Sequence, residues 1–132
     1  MEKALSNITE ILLLLFLIIT FLQSALDKIF DWKGNVDWLK GHFSKTFFQN
    51  YVPLALFKVL VVELVAGVVC LIGIFKLIME GEKSVALYGA ILSCIALLML
   101  LFGQRVAKDY DGARTIAIYF APAIFTVFLL AR

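Results

Sequence analysis

Glu63, Gly67 and Cys70 recur at i, i+4 and i+7 inside a long apolar stretch, so a carboxylate, a gap without a side chain and a thiol share one helical stripe. An ionisable group deep in hydrocarbon costs about 2.5 to 3.5 kcal/mol even at the low end, so it normally has a partner or a role. Two readings follow for Glu63. It fixes the register of packed helices, or it lines a site for a ligand or a proton. A second set of polar residues, Gln23, Ser24, Asp27, Lys28 and Asp31, falls at helical spacing at the end of an earlier apolar run. That face is either a wet helix end or the lining of a cavity mouth. Lys28 and Arg105 are the basic candidates for a partner to Glu63, both near the membrane surface and at the limit of reach; Tyr119, Ser93 and Thr126 are the neutral ones.

A third cluster comprises Gln104, Arg105, Lys108, Asp109, Tyr110, Asp111 and Arg114. The pairs Arg105 with Asp109 and Tyr110 with Arg114 are spaced i, i+4, which predicts a helical continuation at the surface with internal ion pairs worth a few tenths of a kcal/mol each. The cluster reads as a solvated turn, as a contact surface for a partner subunit carried by Gln104, Arg105, Asp109, Tyr110 and Asp111, or as a polar mouth facing the aromatic segment that follows the first helix.

No catalytic motif accompanies these groups. There is no Gly-rich phosphate loop, no HExxH and no zinc spacing, and the single histidine, His42, cannot form a haem pair. Next to lysines, His42 reads as a solvated interfacial residue. The two cysteines, Cys70 and Cys94, form no CxxC and no disulfide framework. A net charge of +2 gives no reason to expect nucleic acid as a partner. The chain reads as no enzyme by itself, with no catalytic residues, no metal and no cofactor held by protein ligands.

The elements that must position these residues follow from composition. Of 132 residues, 63% are apolar, well above the ~45 to 50% of soluble domains. About 20 residues at ~1.5 Å rise cross a ~30 Å hydrocarbon core. The chain therefore reads as all-α: one transmembrane domain, residues 1–132, folded as an integral membrane four-helix antiparallel bundle with spans near 5–30, 53–78, 85–103 and 113–131. The first reads as a retained helix, because Glu2 and Glu10 weaken the basic lead that a signal peptide needs. Helix 2 opens at Pro53, and Glu63 lies about ten residues on, roughly 15 Å, which places it near the midplane. Lys58 is shallower and its stem can reach the headgroups.

Between the first two spans lie Trp32, Trp38, Phe43, Phe47, Phe48 and Tyr51. Val36, Leu39, Phe43 and Phe47 form one stripe, with Lys45 off it, which predicts a short interfacial helix. Small residues at Ala86, Gly89, Ala90 and Ser93, and at Ala113, Ala117 and Ala121, predict close helix contacts. Gly103 is placed to end the third helix and Pro122 to kink the fourth. Lys28, Lys33, Lys40, Lys45, Arg105, Lys108 and Arg114 outnumber Lys3, Lys76, Lys83 and Arg132, which puts the first group in the cytoplasm.

The stretch Ser24-Ala25-Leu26-Asp27-Lys28-Ile29, and above all Val62-Glu63-Leu64-Val65-Ala66-Gly67 followed by Leu71-Ile72-Gly73, resembles the DoxX family of small bacterial four-helix membrane proteins; Phe102-Gly103-Gln104-Arg105-Val106-Ala107-Lys108-Asp109-Tyr110 resembles a subgroup of it. The resemblance spans essentially the whole chain. It implies a multi-pass protein of the bacterial inner membrane, with Lys28, Glu63 and Gly67 as the positions carried over. Some relatives are associated with oxidoreductase complexes, including quinone-linked sulfur oxidation. The implied functions are binding of a small hydrophobic or quinone-like molecule in a Glu63-lined interior that includes Gly67, Lys28, Gln23 and Cys70, an accessory role beside a membrane-protein partner, or transport or proton conduction as a homo-oligomer.

Overall fold

A computed structural model describes residues 5–44, 46 and 49–132. Glu2, Lys3, Lys45, Phe47 and Phe48, which entered the reading above, lie outside the described residues. The chain forms helices α1 (Ile8–Phe30), α2 (Trp32–His42), α3 (Val52–Glu80), α4 (Ser84–Val106) and α5 (Tyr110–Ala131), with a 3-10 turn at Gln49–Tyr51 before α3. The four long helices are long and apolar enough to cross a membrane. Their outward faces carry large apolar side chains such as Phe75, Ile118 and Phe128, each more than half exposed, an arrangement that costs little against lipid. The protein is an all-α, multi-pass membrane bundle.

Contacts fix the order and direction of the helices. In α1, Ile11, Leu14, Ile18, Phe21 and Ala25 are buried at three- and four-residue spacing, the signature of a single core-facing stripe. Leu22 of α1 meets Gly67 of α3 while Lys28 of α1 meets Glu63, so the two helices run antiparallel. Gly73 lies against Ala86 and Gly89 against Cys70, which sets α4 antiparallel to α3. The ring runs α1, α3, α4, α5, and α5 touches α1 only sparsely. This last seam bears on the site.

Local chemistry explains the ends. Gly81, at φ 71°, closes α3 in the left-handed conformation, its N–H donating to Leu77 O and that of Glu82 to Lys76 O. Asp109 caps α5 by accepting from the N–H of Gly112 at 2.9 Å. The helix then runs unbroken through Pro122.

Three expectations are corrected. α4 does not stop at Gly103; it reaches Val106, and the left-handed residue of the turn is Lys108, at φ 62°. That turn interrupts the helix, so Arg105 does not pair with Asp109: its guanidinium lies 4.9 Å from the Tyr110 ring centre, and Arg114 pairs with Asp111 at 2.7 Å. On α5, Ala113 is buried, but Ala117 and Ala121 are exposed; Ala123, Thr126 and Leu130 make the inner face instead.

The aromatic segment forms the short helix that its stripe predicts, with the described part of the stripe turned to the bundle. Val36 packs with Val52 and Leu56 of α3, flanked by Trp32, Leu39 and Phe43, so α2 lies across one end of the bundle. His42, expected to be solvated, is partly buried: its Nε2 lies 2.9 Å from Gln104 Oε1 and 3.6 Å from Asp109 Oδ2, tying α2 to the turn between α4 and α5.

The α3–α4 contact depends on glycine at two points. A Cβ on Gly89 would fall 2.8 Å from the Cys70 backbone nitrogen, and one on Gly73 would fall 2.5 Å from Ala86 Cα. Backbone cannot yield as a side chain end can, so Gly89→Ala and Gly73→Ala are expected each to cost about 1 to 3 kcal/mol in unfolding measured in mixed micelles. Gly41→Ala, in α2 with open space around it, is expected to be neutral or slightly stabilising.

Candidate functional site

Glu63 is fully buried, and Lys28 Nζ stands 3.0 Å from its Oε1. The lysine side chain retains only 13% of its exposure, so this is an interior ion pair. Its formation follows from the helix geometry. Gly67 has no side chain, which lets Leu22 fill the space where a Cβ would sit and brings α1 close to α3. From that contact, Lys28 lies about 9 Å further along α1 and Glu63 about 6 Å back along α3, both in the same direction because the helices are antiparallel. The flexible lysine stem closes the remaining gap. The basic partner at the limit of reach is therefore within it.

Lys28 Nζ also donates to Ser24 Oγ at 2.6 Å, one turn earlier on α1. That hydroxyl fixes the ammonium from below while Glu63 neutralises it. The carboxylate itself is less well served. Close as the ammonium is in charge, neither Oε1 nor Oε2 accepts a directed hydrogen bond among the described residues. An ionised carboxylate offers about four acceptor positions, and leaving a buried acceptor unfilled costs about 1 to 3 kcal/mol. The site has spare capacity for a donor.

Glu63 forms part of the wall of a cleft of about 490 Å³. The cleft occupies the loosely packed seam between α1 and α5. Between Ala113 and Ala123 no residue of α5 is buried, and it is here that Ile116 and Tyr119 turn to the cleft. Phe16 and Tyr119 stack across the seam with ring centres 6.0 Å apart. Leu97 and Leu100 of α4 form an apolar wall, and Gln23, Ser24 and Asp27 of α1 form a polar one.

The sequence-derived candidates separate accordingly. Glu63, Lys28 and Gln23 come together at or beside the cleft, with Gln23 exposed. Gly67 and Cys70 do not line it: Gly67 serves the α1–α3 contact, and Cys70 faces α4, its sulfur 3.8 Å from Ser93 Oγ. Ser93 in turn donates to Gly89 O, and Thr126 to Pro122 O, so neither serves Glu63. Arg105 is far off at the turn with Tyr110. Of the five surface candidates, Gln104 hydrogen-bonds to His42 and Asp109 lies 3.6 Å from the same ring nitrogen, whereas Arg105, Tyr110 and Asp111 are exposed. Phe16, Leu97, Leu100 and Ile116 were not singled out from sequence, since nothing distinguishes them from other apolar residues of the spans. Ser24 carried a usable signal, its i, i+4 spacing to Lys28.

Among the described residues, no three histidine, cysteine, aspartate or glutamate side chains gather as metal ligands. Comparison with protein-family models, curated proteins and solved structures finds no match.

Removing one partner of a buried ion pair strands the other. Lys28→Met is expected to lower unfolding stability in mixed micelles by about 3 to 5 kcal/mol, and the double variant Lys28→Met with Glu63→Leu to recover most of that loss. A double variant no more stable than Lys28→Met would show that the two charges are not coupled.

Proposed function

We propose that the chain is a DoxX-like protein of the bacterial inner membrane that holds a small hydrophobic, quinone-like molecule in the cleft beside Glu63, and that it is not an enzyme by itself. The observation that carries this reading is the fully buried Glu63 carboxylate, neutralised by Lys28 yet without a directed hydrogen bond, in the wall of the cleft. A purely structural ion pair has no need of an adjoining cavity. At about 490 Å³, the cleft falls within the ~300 to 1,000 Å³ of small-molecule sites, with one polar wall and one apolar wall.

The chemistry of the walls narrows the ligand. Glu63 accepts, so a hydroxyl of a reduced, quinol-like ring is the group it would take once the side chains that cover its carboxylate give way. Gln23 and Ser24 line the same wall and can donate, so a carbonyl of the oxidised form fits against them. Phe16, Leu97, Leu100 and Ile116 supply a flat apolar surround. Neither cysteine lines the cleft, so the protein brings no thiol to the bound molecule. Its part is to bind and orient.

A second reading, an accessory subunit of a larger membrane complex, is favoured by the exposed Arg105, Tyr110 and Asp111 beside the α4–α5 turn. Native mass spectrometry of the full chain from mild detergent separates the two. Under the first reading a small molecule travels with the wild-type protein and is lost from Glu63→Gln. A stoichiometric protein partner, retained in Glu63→Gln and lost when Arg105 and Asp111 are both changed to Ala, indicates the second. If Glu63→Gln and Glu63→Leu both leave every copurifying species unchanged, the binding site is refuted.

A further inference from the structure

A second cavity, of about 530 Å³, lies beneath α2, between the N-terminal half of α3 and the C-terminal half of α4. Its position follows from the side chains on the two helices. At one end glycines at 73 and 89 hold α3 and α4 in backbone contact. Toward the other end the facing residues are Leu56, Val59, Leu98 and Met99, too bulky for such an approach, and the cavity opens between them. Leu39 and Phe43 of α2 roof it. Apart from Lys58 and Gln104, its lining is entirely apolar or glycine.

Two features link this cavity to the Glu63 cleft and to the membrane. Leu100 and Ile116 line both spaces, so these two side chains are the partition between them. On the other side the lining includes the exposed Ile95, Leu98 and Phe102, so the cavity reaches the lipid-facing surface of the bundle. The Glu63 cleft has a polar wall; this one has no ionisable group apart from the exposed Lys58. One space suits a polar head and the other an apolar chain.

We infer that the cavity beneath α2 holds the apolar tail of the molecule whose head lies against Glu63, so that the ligand is a tailed amphiphile reaching its site from the lipid between α3 and α4, past Leu100 and Ile116. This rests on the reading that the Glu63 cleft binds a small molecule. It makes the ligand a component of the bilayer and gives α2, docked through Val36 and tied down by His42, the part of a roof over the tail. A flexible tail can lie along the bend between the two spaces at Leu100 and Ile116.

The test uses the whole 132-residue chain in detergent under anaerobic conditions and two reduced probes differing only in the tail: decylubiquinol and its tailless parent, 2,3-dimethoxy-5-methylhydroquinone, with binding measured by titration calorimetry. Val59→Trp fills the apolar cavity without touching the cleft, and Ala55→Trp is an independent variant of the same kind. The wild-type protein is expected to bind the decyl probe at least tenfold more tightly than the tailless one. Val59→Trp is expected to abolish most of that advantage while leaving tailless binding unchanged, which also reports that the variant is folded. Glu63→Gln is expected to weaken both probes alike. If the tail advantage persists in both tryptophan variants, the tail lies elsewhere and this inference fails, while the Glu63 site stands. If Glu63→Gln alters neither probe, or the wild type binds neither, the quinone-like site and the inference fall together. A phospholipid seen by native mass spectrometry in wild type and Glu63→Gln alike, lost only from Val59→Trp, would assign the cavity to a structural lipid and overturn the inference.

Discussion

A carboxylate in the interior of a membrane bundle cannot be left to solvent, and the position of Lys28 answers that constraint. The ion pair needs α1 and α3 close together, and it needs the lysine within one side-chain length of the acid. Gly67 meets the first requirement by making room for Leu22. The antiparallel register meets the second. Ser24 then holds the ammonium by its other side. Three residues of ordinary type, spaced by one helical turn on each helix, thereby make a buried charge tolerable. The pair is weak evidence for stability in its own right, since well-packed apolar residues often do as well.

The cleft exists because one seam of the ring is left loose. α3 and α4 are held by glycine and alanine in backbone contact, and α4 and α5 pack extensively, but α5 turns no buried residue inward between Ala113 and Ala123. In water such a gap would expose apolar walls at a cost. In a membrane the same walls face lipid or a lipid-soluble molecule at little cost, because association of transmembrane helices is not driven by apolar burial. A bundle can therefore keep an open seam without a large loss of stability, provided its other interfaces are tight.

The all-α bundle and its four spans were legible in the sequence because hydrocarbon thickness dictates helix length, and the buried face of α1 was legible because its apolar positions repeat at three and four. Glu63 was legible for the same reason: an acid in an apolar run stands out whatever it packs against. Its partner was legible only as one of two basic candidates, Lys28 and Arg105, with the reach of either in doubt. Depth was counted along α3 alone, as though all helices began in one plane. In the structure α3 starts well beyond the end of α1, beside α2, so Lys28 near the end of α1 is still within reach of Glu63. Cys70 misled for a related reason. It shares a stripe with Glu63 and Gly67, but α3 is flanked by α1 on one side and α4 on the other, and a single stripe passes from one neighbour to the next. Ala117 and Ala121 misled because an alanine facing lipid carries almost no penalty, so small-residue spacing alone does not say which face is inside.

α2 has to be an element of its own rather than a link between spans. Its mean composition is polar, yet Val36, Leu39 and Phe43 form a stripe narrow enough to dock on Val52 and Leu56 while Trp38 remains exposed and stacks on His42. Once docked, its far end falls beside the α4–α5 turn, where the Lys108 backbone reverses the chain and places Gln104 and Asp109 on the same side. His42 hydrogen-bonds to Gln104 and lies 3.6 Å from Asp109. Asp109 also caps α5, so the group that starts the last helix is the group that fastens the roof. Loss of that contact would free α2 at one end only, because Val36 still anchors its middle. α2 is thus held at its middle by Val36 and at its C-terminal end by His42, above the apolar cavity, with the ion pair deeper in the bundle.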